Sequence, residues 1–133
     1  MTHPLISRLS TDCGWPHLTS LAAVAAFVQA PGVHCLFVPG NPEKNLESSD
    51  AAVILPELHK AFQDRFDCAV VDESIDSAVQ DVVGVSKTPL LIFYREGAQI
   101  GTIPKVRAWD DYLARVSHIL SHGPEGETEG GPE

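Results

Sequence analysis

Three short apolar runs, residues 33–38 (VHCLFV), 68–71 (CAVV) and 90–94 (LLIFY), constrain this chain more than any other feature. Runs of that length, bounded by Pro, Gly and polar residues, read as buried strands. Between the first two lies a helical pattern with Ile54, Leu58, Ala61 and Phe62 on one face and Pro56 near its start, as a kink or a first-turn residue. Between the second and third, Ile75, Ala78, Val79 and Val82 repeat at helical spacing and Gly84 closes the pattern. A strand–helix–strand crossover implies a parallel pair covered by helix. The third run turns at Arg95-Glu96-Gly97 into an antiparallel partner over 98–103. A first helix is predicted over 19–29, with Leu21, Val24, Ala25 and Val28 at helical spacing and Pro31-Gly32 as its stop. A last helix carries Trp109, Tyr112, Leu113, Val116 and Leu120 on one side, with Asp110 and Asp111 in its first turn, where the helix dipole favours acids. The order α-β-α-β-α-β-β-α, with room for an edge strand near Cys13, predicts an α/β fold. It is a three-layer α/β/α sandwich with a mixed central sheet, in one domain over 1–121.

At 133 residues and 44% hydrophobic, the chain can build one core but not two. It carries 18 acids against 9 lysines and arginines, a formal net charge of −9. The few bases are scattered from Arg8 to Arg115, so no basic patch exists to neutralise phosphates and nucleic acid is excluded as a partner. Residues 122–133 (HGPEGETEGGPE) hold four glutamates and no large apolar side chain, which predicts a disordered acidic tail. Taking its four glutamates from 18 leaves 14 acids against 9 bases elsewhere. That balance fits either a basic partner or simply a solvated surface. No apolar run reaches 18 residues, so the chain is not read as membrane-embedded. Residues 21–28 imitate the core of a secretory leader, but Asp12, Cys13, Trp15 and Pro16 separate them from Arg8, the one preceding base. The location expected is the cytoplasm.

Few constellations carry chemistry. Cys13, Cys35 and Cys68 lie 22 and 33 residues apart with no CxxC among them. Cys35 and Cys68 fall inside apolar runs and read as small core hydrophobes; the competing reading makes one of them the thiol of an oxidoreductase or redox sensor. The six histidines show no HxH or HExxH spacing, and no metal or other cofactor is expected. His34 reads as a satisfied buried histidine, and strand alternation points it away from Cys35, which works against a Cys–His pair. There is no nucleophile elbow and no GxGxxG loop, so the chain is not read as an enzyme. Trp109 reads as core, while Pro104, Lys105 and Arg107 form either the rim of a partner surface or an ordinary turn.

The segment Gly84-Val85-Ser86-Lys87-Thr88-Pro89-Leu90-Leu91-Ile92-Phe93 resembles the part of thioredoxins where a glycine precedes, by five residues, a cis-proline opening a strand. Gly97 stands where thioredoxins place the hairpin glycine, and Pro56 resembles their helix-kinking proline. The resemblance spans about 18–121 and implies a thioredoxin-like fold with a cis Thr88-Pro89 bond. Dithiol exchange needs a low-pKa cysteine at a helix start and a second one turn later. Counting forward from Leu36-Phe37 puts these positions near Pro42 and Asn45; counting back from Pro56 puts them near Ser48 and Ala51. No cysteine lies anywhere between Cys35 and Cys68, so that chemistry is excluded at this site.

The blocks Gly14-Trp15-Pro16, Ala30-Pro31-Gly32, Phe37-Val38-Pro39-Gly40-Asn41-Pro42, Asp50-Ala51-Ala52-Val53-Ile54-Leu55-Pro56-Glu57-Leu58 and Ile103-Pro104-Lys105-Val106-Arg107-Ala108-Trp109 resemble the hydrogenase expression/formation proteins HyaE and HupG. Membership implies a chaperone without the redox pair that assists maturation of a nickel–iron uptake hydrogenase. Its partner would be the small-subunit precursor, engaged at its twin-arginine signal peptide. Paired guanidinium groups call for carboxylates, and Glu43, Glu47, Asp50 and Glu57 stand in or after the loop Pro39, Gly40, Asn41, Pro42. Thr88 and Pro89 are the remaining candidate contacts, since thioredoxin-like folds receive extended peptides at the cis-proline. Each carboxylate can equally be a cap or a solvated residue. An exposed sheet edge would also permit a homodimer.

Overall fold

The computed structural model describes residues 9, 14–40, 47–62, 65–85 and 87–121, without the side chains of 47–49. The expected tail 122–133 and Cys13 lie outside them. Five strands form one sheet: β1 (His17–Leu18), β2 (Val33–Val38), β3 (Asp67–Val71), β4 (Leu90–Arg95) and β5 (Ala98–Pro104). Their order is β1-β3-β2-β4-β5. β3 runs parallel to both β1 and β2, while β4 runs antiparallel to β2 and β5, so the sheet is mixed as predicted. Among the described residues four helices cover it: α1 (Leu21–Gln29), α2 (Glu47–Ala61), α3 (Asp76–Val83) and α4 (Trp109–Ser121), with a 3-10 turn at Glu73–Ile75 before α3.

The strands are buried on both faces, and alternation sorts their side chains into two cores. Cys35, Phe37, Cys68, Val70, Leu91 and Phe93 face α2 and α4, meeting Leu55, Leu58, Tyr112 and Val116. Leu36, Val38, Ala69, Val71, Leu90 and Ile92 face α1 and α3, meeting Val28 and Val79. His34 belongs to the second face. Its Nε2 donates to Ala30 O at 2.9 Å and its ring lies 5.0 Å from that of Phe27. Its buried Nδ1 makes no hydrogen bond and sits 3.7 Å from an Asp67 carboxylate oxygen. The histidine is therefore satisfied on one nitrogen, and it points away from Cys35 as strand alternation requires.

Helix starts and stops follow local chemistry. The Ser20 hydroxyl accepts from Ala23 N at 3.1 Å, so α1 begins two residues later than expected. Gly84, in the left-handed region at φ 85°, ends α3. At the β4–β5 turn Glu96 and Gly97 both take positive φ, 51° and 90°; a two-residue hairpin turn needs that pair of conformations to match strand twist, and the glycine supplies the second without strain. The helical stripes required correction. α2 buries Ala51, Ala52, Leu55 and Leu58 rather than Ile54, Leu58, Ala61 and Phe62, and Pro56 lies inside the helix. Ile54 and Phe62 pack only partly against the core, and Ala61 is exposed. α4 buries Tyr112, Val116, Ile119 and Leu120, while Trp109 is exposed instead of forming core.

The expected edge strand sits at His17–Leu18, four residues beyond Cys13, and is held by one acid. Asp72 Oδ1 accepts from His17 Nε2 at 2.7 Å, and Oδ2 accepts from Ser74 N at 3.0 Å and from the Ser74 hydroxyl. The Ser74 side-chain bond, followed by the His17 bond, lowers the Asp72 carboxyl from 3.8 to about 2. A depressed folded-state value means stability that is complete above the unfolded value of 3.8 and is lost as pH falls toward 2. Asp72→Asn is therefore expected to cost about 1 kcal/mol at neutral pH, a figure reduced for solvent screening of a partly exposed group. Its deficit against the parent should shrink between pH 4 and 2, as read by urea unfolding at each pH.

Candidate functional site

The end of β2 meets the start of β4 at one end of the sheet. Val38 pairs with Leu90, so the residues just beyond each strand, Pro39-Gly40 and Thr88-Pro89, are brought together. The Thr88-Pro89 bond is cis, as the resemblance implied. Gly40 adopts φ 77°, and a Cβ there would stand 2.8 Å from Thr88 Cβ and nearer still to its hydroxyl. Both the backbone conformation and the space require glycine. Pro39, Gly40 and Pro89 are buried and Thr88 is half-buried. Pro89 O accepts from Lys105 N at 2.7 Å, which ties the end of β5 into the same cluster. β4 is thus an interior strand flanked by β2 and β5, and Thr88 marks the limit of its exposed approach.

Of the remaining candidates, Asn41, Pro42 and Glu43 lie outside the described residues. Glu47 is the first residue of α2. With the helix starting there, the first-turn position and the one a turn later fall at Ser48 and Ala51, the pair counted back from Pro56. Ala51 is buried against the core. Asp50 and Glu57 are exposed on α2, and Val53 between them leaves 48% of its surface in solvent. Spacings of three and four place all three side chains on one helical stripe. Asp50 has no cationic partner among the described residues, and Glu57 meets Lys60 at 3.8 Å in an exposed pair. Sequence reading missed Val53, because it sits inside a hydrophobic block and only the position of the buried stripe tells which of those residues faces out. Pro104, Lys105 and Arg107 form a turn closed on itself: Arg107 Nε donates to Pro104 O at 3.0 Å, and the Tyr112 hydroxyl donates to Lys105 O at 3.3 Å.

Cys35 and Cys68 are register partners on neighbouring parallel strands, both buried and both unbridged. They fill core, and neither lies at a helix N-terminus where a thiolate would be stabilised. Among the described residues no group of three His, Cys, Asp or Glu side chains could hold a metal ion, and no helix is long and apolar enough to cross a membrane.

The fold and this site define a thioredoxin-like protein whose helix after β2 begins without a thiol pair. Solved structures agree on the fold: mitochondrial thioredoxin 3 from Saccharomyces cerevisiae superposes with TM-score 0.66 at 14% identity, covering 83% of this chain and 97% of that one. The particular family follows from sequence. Residues 5–112 match the model of the Hydrogenase-1 expression protein HyaE, and the chain belongs to that family. It is 52% identical over 120 residues to the hydrogenase expression/formation protein HupG of Rhodobacter capsulatus, covering 90% of this chain and 87% of the relative. It is 36% identical over 129 residues to HoxO of Azotobacter vinelandii, covering 97% and 83%. A crystal structure described as that of HupG from Rhodopseudomonas palustris matches with TM-score 0.54 at 26% identity, covering 80% of this chain and 95% of that one.

Two outcomes test the site's construction. Gly40→Ala combines a positive-φ penalty with a clash and is expected to lower stability by about 2–4 kcal/mol in urea unfolding. Thr88→Ala in the same chain should not rescue it, because Thr88 Cβ is itself within 2.8 Å of the new methyl. In native-state alkylation, Cys35 and Cys68 are expected to react far more slowly than in the unfolded chain; labelling of either at the rate of a free thiol would revive thiol chemistry.

Proposed function

We propose that the protein is a chaperone of hydrogenase maturation that catalyses no reaction and holds the small-subunit precursor by its twin-arginine signal peptide in the cytoplasm. Membership of the HyaE family supplies the hydrogenase context. The observation that carries the binding mode is the exposed stripe Asp50, Val53, Glu57 on α2. Two carboxylates flanking an apolar side chain match a segment in which paired arginines adjoin apolar residues. Carboxylate–guanidinium contacts are charge-assisted and often bidentate. The exposed Glu57–Lys60 contact is no obstacle, since surface pairs of this kind are worth under about 1 kcal/mol and exchange readily. Thr88-Pro89, the place where related folds receive extended chains, is the second contact in this reading.

The test is fluorescence anisotropy with a labelled signal peptide of the hydrogenase small subunit. The native peptide is expected to bind about tenfold more tightly than one with both arginines replaced by glutamine, and Asp50→Asn with Glu57→Gln should remove that preference. Raising salt from about 0.05 M to about 0.5 M should weaken the native peptide and leave the neutral one unchanged, since exposed ion pairs are screened. Equal affinities for the two peptides would overturn the binding mode. Insulin reduction by the purified protein would overturn the non-enzymatic reading.

A further inference from the structure

The first-helix stripe Leu21, Val24, Ala25 and Val28, which periodicity reads as a packed face, is only partly covered. Val28 is buried, but Leu21 keeps 46% of its surface in solvent and Ala25 is exposed. Across from it Val82 of α3 is 76% exposed, while Val79 is buried beneath. Between the two helices runs a groove of about 230 Å³, walled by this stripe with Val79, Val82 and Val83, and reaching Tyr94. That volume lies below the roughly 300–1,000 Å³ of pockets that enclose whole small molecules, so it suits side chains of another polypeptide. Gln29 and Tyr94 are the polar side chains among its lining residues. Burial alone raises the pKa of the Tyr94 phenol, and no hydrogen bond holds the hydroxyl among the described residues.

Charge specifies what fits. Neither α1 nor α3 carries a lysine or arginine. Asp76 stands one turn before Val79, with its carboxyl raised first by burial, and Asp81 adjoins Val82. Glu96 stands in the hairpin turn whose amides donate to Val28 O and Gly32 O at the other end of α1. Lys87, four residues past the end of α3, is the nearest base in sequence to that helix, and Arg95, beside Glu96, is turned to the opposite layer, where Nη2 donates to Leu120 O at 2.9 Å. None of the three acids has a cationic partner among the described residues.

The acidic tail is a poor occupant for this groove. Residues 122–133 have no large apolar side chain. Leu9 packs in the core on the other face of the sheet. A second copy would bring the same acidic surface against itself in a two-fold contact. We infer that the α1–α3 groove is a second docking site, taking an apolar segment with basic residues at its ends from a partner chain. This site is on the sheet face away from α2 and does not depend on the signal-peptide reading.

The experiment titrates the full-length, methyl-labelled protein with a short synthetic peptide having a leucine–alanine core and lysines at both ends. Methyl signals of Leu21, Val24, Val79 and Val82 are expected to shift. Leu21→Ser with Val82→Ser, at positions exposed enough to leave folding intact, should weaken binding about tenfold. Tyr94→Phe should weaken it a few-fold, and the same peptide ending in glutamates should bind at least tenfold less well. The inference is overturned if the lysine peptide does not bind, if the double variant or the glutamate peptide binds equally well, if the shifts fall elsewhere, or if the groove methyls shift with protein concentration alone, which would assign the groove to a second copy. Signal-peptide binding that survives in the double variant alongside loss of this peptide would separate the two sites.

Discussion

β2 is buried at every residue from His34 to Val38, on both of its faces. A strand with no solvent side must have helix above and below, and everything else in the molecule answers that requirement. The parallel neighbour β3 is reached by a crossover through α2, which covers one face. α1 and α3 cover the other, and α4 closes the first after the β4–β5 hairpin. Because β4 returns antiparallel beside β2, the residue after one strand meets the residues before the other. Gly40 and Thr88-Pro89 are therefore neighbours through sheet register.

Much of this could be read from sequence because strand periodicity and breaker residues are strong signals. The apolar runs, the Arg95-Glu96-Gly97 turn and the glycine ending α3 all correspond to observed elements. Helix faces were legible only in part. In α2, eight residues from Ala51 to Leu58 are almost all apolar, so periodicity fits more than one stripe; the sheet beneath selects Ala51, Ala52, Leu55 and Leu58 and leaves Val53 outside. Trp109 failed as core for a related reason. A helix's first turn overhangs the layer it packs on, and Tyr112 three residues later is the first α4 side chain fully seated. The approach of Gly40 to Thr88 joins residues 48 apart in the chain, and no local pattern encodes such a contact.

The chain's acids are not one uniform field. Asp72 is consumed in holding β1, as its His17 and Ser74 bonds and its depressed carboxyl show. Asp111 is paired with Arg115 at 3.0 Å along α4. Asp50 on α2, Asp76 and Asp81 on α3, and Glu96 in the β4–β5 turn have no cationic partner among the described residues. An unpaired exposed acid contributes little to folding, which applies to Asp50, Asp81 and Glu96, whereas Asp76 is half-buried and burial raises its carboxyl. Two of these acids lie close in sequence to exposed apolar side chains, Asp50 to Val53 and Asp81 to Val82.

Absence of the thiol pair changes what such a scaffold can do with a client. A mixed disulfide holds its partner covalently until a second thiol releases it. Without sulfur at the start of α2, capture rests on contacts whose strength is set by charge and by modest apolar area. Charge complementarity mainly accelerates encounter and suppresses wrong partners, whereas small apolar contacts leave dissociation fast. A protein that must hand its client on to further assembly steps benefits from that combination, since release then needs no reductant. The retained cis Thr88-Pro89 turn and its obligatory glycine neighbour fit the same logic. They shape the surface at the end of the sheet whether or not a cysteine stands beside them.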